Sequence, residues 1–167
     1  MRVSIEVGTL ERLAAAFRRA PEIAQAEISR FMAAATAHLQ GEVQQRTPTH
    51  HGTLRASIIG RVRPLPVGLG VEGVVGTSLA YAIPVELGTA PHMPPVAPLE
   101  DWARSKLGLT GREARSAAWG IARKIARQGT EPVAMFGDSF DANRAQLATG
   151  FERAVQRILA RIAEAGR

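Results

Sequence analysis

The sequence predicts an α+β fold, with a small antiparallel sheet packed against long N- and C-terminal helices and a helical hairpin inserted between them. Three observations predict it. Apolar residues recur at three- and four-residue steps near both ends of the chain, the period of an amphipathic helix. Two short β-rich runs, Ile58 to Arg63 and Val71 to Thr77, flank a loop marked by Pro64, Pro66, Gly68 and Gly70. Two further helical stretches, separated by Gly108, fall between those runs and the last helix.

Val3-Ser4-Ile5-Glu6-Val7 alternates and predicts a short strand or extended arm, ended by Gly8-Thr9. Thr9 is an N-cap for a helix over Leu10 to Arg19. Pro21 suits the first turn of the next helix, which runs to about Arg46 with Ile28, Phe31, Ala35, Leu39 and Val43 on one face. Thr47-Pro48 stops it, because a residue before proline is pushed out of the helical region. Gly52 permits a tight turn, and Thr53 caps a short turn over Leu54 to Ser57. The two β runs follow as a hairpin with an exposed tip.

Tyr81 to Leu87 predicts one short helical or bent segment. Pro91 to Pro98 holds four prolines and resists regular structure. Leu99 to Leu107 is helical and closed by Gly108. Thr110 caps a helix ending near Gln128, with Gly129 as its stop and Trp119, Ala122, Ile125 and Ala126 as its apolar stripe. Glu131 to Gly137 is extended. The last helix starts between Ser139 and Asn143 and runs to Ala165, with Leu147, Phe151, Ala154, Val155, Ile158 and Ile162 along one side. The whole, residues 1–167, is expected to be a single domain with a helical insertion at about 95–129.

A chain of 167 residues suits such a domain. At this size roughly 68–70% of the unfolded surface is buried on folding, enough for a self-sufficient core. Aromatic residues make up only 5% of the chain, so that core is built mainly of Ala, Val, Leu and Ile. Small side chains favour close helix contacts, or helix faces completed by a neighbouring subunit. Cysteine is absent, which excludes disulfides, thiolate metal sites and thiol catalysis. No apolar run approaches the roughly 20 residues of a membrane span. The N-terminus lacks the long apolar segment of a signal peptide, so a cytoplasmic protein is expected.

No enzyme is predicted. His50 and His51 are adjacent and, in an extended loop, point to opposite sides; His38 and His92 stand apart, and no helical His-Glu-x-x-His occurs. Glu100, Asp101, Asp138 and Asp141 each suit the first turn of a helix, where carboxylates oppose the dipole. Gly137-Asp138-Ser139-Phe140 lacks the second glycine of a nucleophile elbow. Gly68 to Gly73 fits Gly-x-Gly-x-x-Gly, but a strand follows where a dinucleotide site needs a helix. We therefore expect no catalytic residue, no metal and no cofactor.

The net charge of +6 raises nucleic acid as a partner. Arg112, Arg115, Arg123, Lys124 and Arg127 lie on one predicted helix, and Arg123 and Arg127, four apart, share a face that Lys124 adjoins. These make Arg123, Lys124 and Arg127 the candidates for DNA contact. The alternative to a structural role is a basic DNA-binding module using the 99–128 hairpin. Glu86 is the more unusual residue. It sits between Val85 and Leu87, shortly after Pro84; either it is exposed on a turn, or, since a carboxylate held among apolar groups needs a partner, it is buried and paired with an arginine within the fold or across a subunit boundary.

Thr47-Pro48-x-x-x-Gly52-x-Leu54-x-x-Ser57-Ile58 resembles a signature of the tail-component, or tail-completion, proteins of lambda-like long-tailed bacteriophages. Val75-Gly76-Thr77, then Tyr81-Ala82, then Val85-Glu86-Leu87-Gly88-Thr89 resembles that family's second signature. Gly129-Thr130-x-Pro132 with Met135-Phe136 before a long terminal helix resembles its third element. Departures are His51 in place of Thr, the presence of Pro84, and Leu87 in place of an aromatic residue. The resemblance implies a structural virion protein at the head–tail junction, similar in fold to tail terminators. It also implies a homo-hexameric ring joining head connector or stopper proteins to the tail tube, with genomic DNA passing non-specifically through the lumen. Assembly in the host bacterial cytoplasm and no membrane partner go with it. Tyr81, Glu86, Leu87, Gly88 and Thr89 are then the subunit-interface candidates. The Pro91–Pro98 stretch and the Arg63–Gly73 loop are the candidate docking elements.

Overall fold

A computed structural model describes residues 7–66, 68 and 70–166. The elements in chain order are α1 (Val7–Arg46), α2 (Thr53–Ser57), β1 (Ile59–Pro64), β2 (Val71–Gly76), α3 (Ala82–Leu87), α4 (Val96–Leu107), α5 (Gly111–Gln128) and α6 (Met135–Ala165). β1 and β2 form a two-stranded antiparallel sheet, so the α+β class stands. The N-terminal strand expected at Val3 to Val7 falls on residues 3–6, outside the described residues, except for Val7, which opens α1.

The chain divides into two compact units. The first gathers Met1–Gly41, Gly60–Val75 and Phe140–Arg167; the second gathers Glu42–Ile59 and Gly76–Ser139.

In the first unit α1 is uninterrupted where the sequence predicts two helices, with Gly8, Thr9 and Pro21 all inside it. Proline removes one backbone donor but its fixed φ is helical, and Ala14 to Arg19 and Glu22 to Ala26 are strong helix formers on either side. α6 packs on α1 through Phe31 and Phe151, whose ring centroids are 5.8 Å apart, and through His38 Nε2 and Asn143 Oδ1 at 2.7 Å. Glu27, fully buried on α1, is met by Arg157 and Arg161 of α6 and by Arg30 of its own helix. The Arg157 hydrogen bond holds the Glu27 carboxyl below the usual carboxylate range against the opposing effect of burial, with the charges of Arg161 and Arg30 adding to it. The hairpin lies on α1. Gly60 N–H donates to Gln40 Oε1 at 2.9 Å, and a Cβ on Gly73 would stand 2.1 Å from Thr36 Oγ1.

In the second unit α4 and α5 pack on each other through alanines. Ala103 on one helix and Ala114, Ala118 and Ala122 on the other have no exposed surface. The expected α5 stripe stands at Ala122 and is corrected at Trp119, which is 46% exposed: Ala114 and Ala118 join Ala122 instead, because a close helix pair accepts only small side chains along its seam. Gly52, in the left-handed region, is the N-cap of α2 where Thr53 is expected. Val96 to Pro98 of the proline-rich stretch already form the first turn of α4, a place that tolerates proline. Met135 opens α6, four residues before the earliest start that the sequence predicts.

Gly73→Ala is expected to lower stability by about 1–3 kcal/mol, the usual cost of overpacking a filled site. Urea denaturation with an unchanged m-value is the check.

Candidate assembly surface

The motifs singled out in the sequence converge on the first turn of α6. Thr47, buried at the end of α1, donates its hydroxyl to Val43 O at 2.6 Å and touches Met135 Sδ at 3.4 Å. Met135 is itself fully buried, and Arg46 reaches Ser139 Oγ at 3.3 Å. The third contributor is Glu86, from the last turn of α3.

Glu86 has a backbone partner rather than an arginine. Its Oε2 accepts the Phe136 N–H at 3.0 Å and its Oε1 the Gly137 N–H at 2.9 Å. The first four N–H groups of a helix lack intrahelical partners and carry the positive end of the dipole, so one carboxylate satisfies two of them and gains from the field. The Glu86 carbonyl accepts Ala134 N–H at 3.1 Å, and the Val85 carbonyl accepts Val133 N–H at 2.9 Å. The cap therefore comes from a residue about fifty positions upstream. Local sequence before Met135 shows none, which is why the start of α6 reads as extended. Ala134 has φ 50°, a left-handed conformation costly for a residue with a Cβ, and it turns the chain sharply into the helix.

Two Gly-Thr dipeptides then lock together. Thr89 and Thr130 form an antiparallel bridge, with both N–H···O distances at 3.1 Å and their hydroxyls 3.0 Å apart. Gly88 and Gly129, at φ 70° and 73°, make this approach possible. A Cβ on Gly88 would stand 2.4 Å from Thr130 O, and one on Gly129 would stand 1.9 Å from Thr89 O. Both dipeptides are visible in the sequence, but nothing there pairs them. Ser57 and Thr77, from the first and second motifs, are likewise joined, hydroxyl to hydroxyl at 2.6 Å, and Thr77 also accepts Leu79 N–H.

The structure thus divides the interface candidates. Glu86, Gly88 and Thr89 are half-buried and spent on the fold. Tyr81 and Leu87 face solvent, 47% and 71% exposed, and Ile83, which the sequence does not single out, is 63% exposed. Ile83 and Leu87 are four apart on α3 and share one face. Beside Tyr81 is a cavity of about 390 Å³ lined by Pro48, His50, Leu54, Val85 and Trp102 among others. Arg123, Lys124 and Arg127 are all exposed on α5, and Arg127 Nε donates to Arg123 O.

Three of the four histidines have ordinary hydrogen-bonding partners, and the His51 ring lies against that of His50. His38 meets Asn143, His92 Nδ1 lies 3.0 Å from Ala90 O, and His50 Nδ1 lies 3.0 Å from Ser105 Oγ. Among the described residues no group of three or more His, Asp or Glu gathers as metal ligands, and no helix is long and apolar enough to cross a membrane. Burial pushes the His50 pKa down, with the neighbouring charges of His51 and Lys106 acting in the same direction.

Residues 11–88 match the HK97-gp10-like family, described as "Bacteriophage HK97-gp10, putative tail-component". This segment carries the pattern of a phage tail-component family. It spans just under half of the chain, including the whole first motif and the second through Gly88; α4, α5 and α6 lie beyond it. No curated protein and no solved structure gives a significant match to the chain. The matched segment therefore contains Glu86 but not the helix end that Glu86 caps.

Glu86→Ala is expected to cost about 0.5–2 kcal/mol, the range for loss of a side-chain cap. The faster hydrogen exchange should concentrate at Phe136 and Gly137. Because the His50 pKa is lowered on folding, the unfolded chain binds the proton more tightly. The stability contributed by neutral His50 is present above pH 6.5 and is lost as pH falls below that value towards the folded pKa. The thermal midpoint should accordingly drop between about pH 7.5 and 5.5, and drop less in His50→Gln, as measured by calorimetry.

Proposed function

We propose that this chain is a structural virion subunit of the phage head–tail junction. In this reading it is a tail-completion or tail-terminator-like neck protein, working as a single domain that carries residues 95–129 as a helical insertion. It assembles as a homo-hexameric ring between head connector or stopper proteins and the tail tube, with genomic DNA passing through the lumen.

The observation that carries this reading is the display of Tyr81, Ile83 and Leu87 on a segment that is itself fixed. Large apolar side chains left in water on a braced turn are characteristic of a surface awaiting a partner. The bracing supplies the partner's share of pre-organisation: the Val85–Thr89 backbone is tied to Thr130–Gly137 before any neighbour arrives, so docking costs little ordering entropy. The match of residues 11–88 to a tail-component family supports the virion setting. A head-to-tail contact of this patch with a different surface on the next copy closes into a ring when the rotation per subunit allows. In the first unit a groove of about 580 Å³ between α1 and α6, floored by small residues such as Ala34, Ala35 and Gly150, is a second face that a neighbour could fill.

In this mechanism Glu86 has an indirect part. It fixes the angle at which Leu87 is presented, and does not itself bridge subunits. The subunit chemistry is geometric and needs no catalytic group.

Light scattering on the purified chain, alone and with connector and tail-tube proteins, is the test. A ring-sized species is expected in at least one mixture. Leu87→Glu with Tyr81→Ala should abolish that species while leaving the circular dichroism and thermal midpoint of the subunit unchanged. A normal ring from the double variant would falsify the interface assignment.

A further inference from the structure

In the first unit a buried carboxylate gathers more positive charge than it can neutralise. Arg157 Nε lies 2.9 Å from Glu27 Oε2, while Arg161 Nη1 and Arg30 Nη1 lie 3.0 Å and 2.8 Å from Oε1. One negative charge faces three positive ones. Tying α6 to α1 through Glu27 needs a single guanidinium; the second and third bring mutual repulsion into a partly desolvated site. That excess is kept, and it is kept at the surface, since the three side chains are 62% (Arg30), 47% (Arg157) and 48% (Arg161) exposed.

The bonding pattern leaves donors over. A guanidinium carries five N–H groups in a planar fork. Arg157 uses its Nε on Glu27, and Arg30 and Arg161 each use one Nη1, so several N–H groups on every fork remain for another acceptor. The carboxylate also fixes the side chains in place, which removes much of the rotamer entropy a free arginine loses when it binds. Arg153 extends the row. Arg153, Arg157 and Arg161 stand at four-residue steps on α6, about 6 Å apart along its axis, and share one face. Arg153 is exposed and makes no ion pair among the described residues. The acids nearest in sequence, Glu152 and Glu164, make none with these arginines either.

We propose that Arg30, Arg153, Arg157 and Arg161 form a contact surface for the phosphate backbone of double-stranded nucleic acid, built over the buried Glu27. Guanidinium forks match phosphate oxygens in a bidentate way, and duplex DNA offers a charge about every 1.7 Å of its axis, so a fixed row of cations finds phosphates at any sequence. This surface lies in the first unit, whereas Arg123, Lys124 and Arg127 lie on α5 in the second. It requires no ring: an isolated subunit carries the whole of it, so a failure of assembly and a failure of DNA contact are separate results.

Fluorescence anisotropy of a labelled mixed-sequence duplex, titrated with the full chain between about 50 and 200 mM salt, tests it. Weak binding is expected, with log K falling linearly against log salt at a slope of about −3 to −4 for four contacts. Arg153→Gln, which leaves Glu27 fully paired, should weaken binding several-fold and reduce the slope by about 1. Arg153→Gln with Arg161→Gln should reduce it by about 2, with Arg30 and Arg157 still on Glu27 and the thermal midpoint confirming the fold. The triple change Arg123→Ala, Lys124→Ala and Arg127→Ala should leave the slope unchanged. Absence of binding at low salt, an unaltered slope in the double variant, or loss confined to the triple variant would each overturn the proposal.

Discussion

The placement of the Glu86 carboxylate on the first turn of α6 is the constraint around which the second unit is arranged. A helix of 31 residues ends in exposed N–H groups and a concentrated partial positive charge, and something must answer both. Here the answer comes from α3, with one carboxylate oxygen on each of two adjacent N–H groups. Once that contact is made, the backbone bonds from Val133 and Ala134 to Val85 and Glu86 follow along the same line. The left-handed turn at Ala134 is held by bonds on both of its sides rather than by its own preference.

From this contact a division of labour follows along one short segment. The polar positions Thr77, Glu86 and Thr89 are consumed by bonds within the unit, and Gly88 by the close approach of its backbone to Thr130. The apolar positions between and beside them, Tyr81, Ile83 and Leu87, are left in water. In the proposed assembly role this arrangement is favourable, because a rigid backbone loses little freedom on docking while the apolar side chains supply the burial. The residues with the clearest sequence pattern therefore hold the segment together, and the less patterned ones are its exposed apolar positions.

The first unit shows the complementary use of a buried acid. Glu86 meets the fixed partial charges of a helix end and neutralises them; Glu27 meets full charges and leaves an excess. The two carboxylates thus accompany opposite surfaces, one apolar and one cationic. A carboxylate withdrawn from water, fully at Glu27 and partly at Glu86, is tolerated because its partners are well directed.

The sequence by itself determined the α+β class, the hairpin, the end of α1 at Thr47-Pro48 and the stops at Gly108 and Gly129, because periodicity, proline and glycine act locally. It also marked both Gly-Thr dipeptides and the importance of Glu86. Tertiary structure alone decided what those residues meet. Pro21 is carried inside α1 because flanking helix formers and packing outweigh one lost hydrogen bond. α6 begins at Met135 because its cap is supplied by Glu86, about fifty residues away, where no local pattern can register it. Trp119 lies outside the α4–α5 seam because only alanines let two helices come that close. Glu27 and its arginines look like ordinary helix charges until folding brings Arg161 and Arg157, the latter 130 positions later in the chain, against it. Periodicity records which face of an element is apolar; it holds no record of which distant face, dipole or charge that element will find.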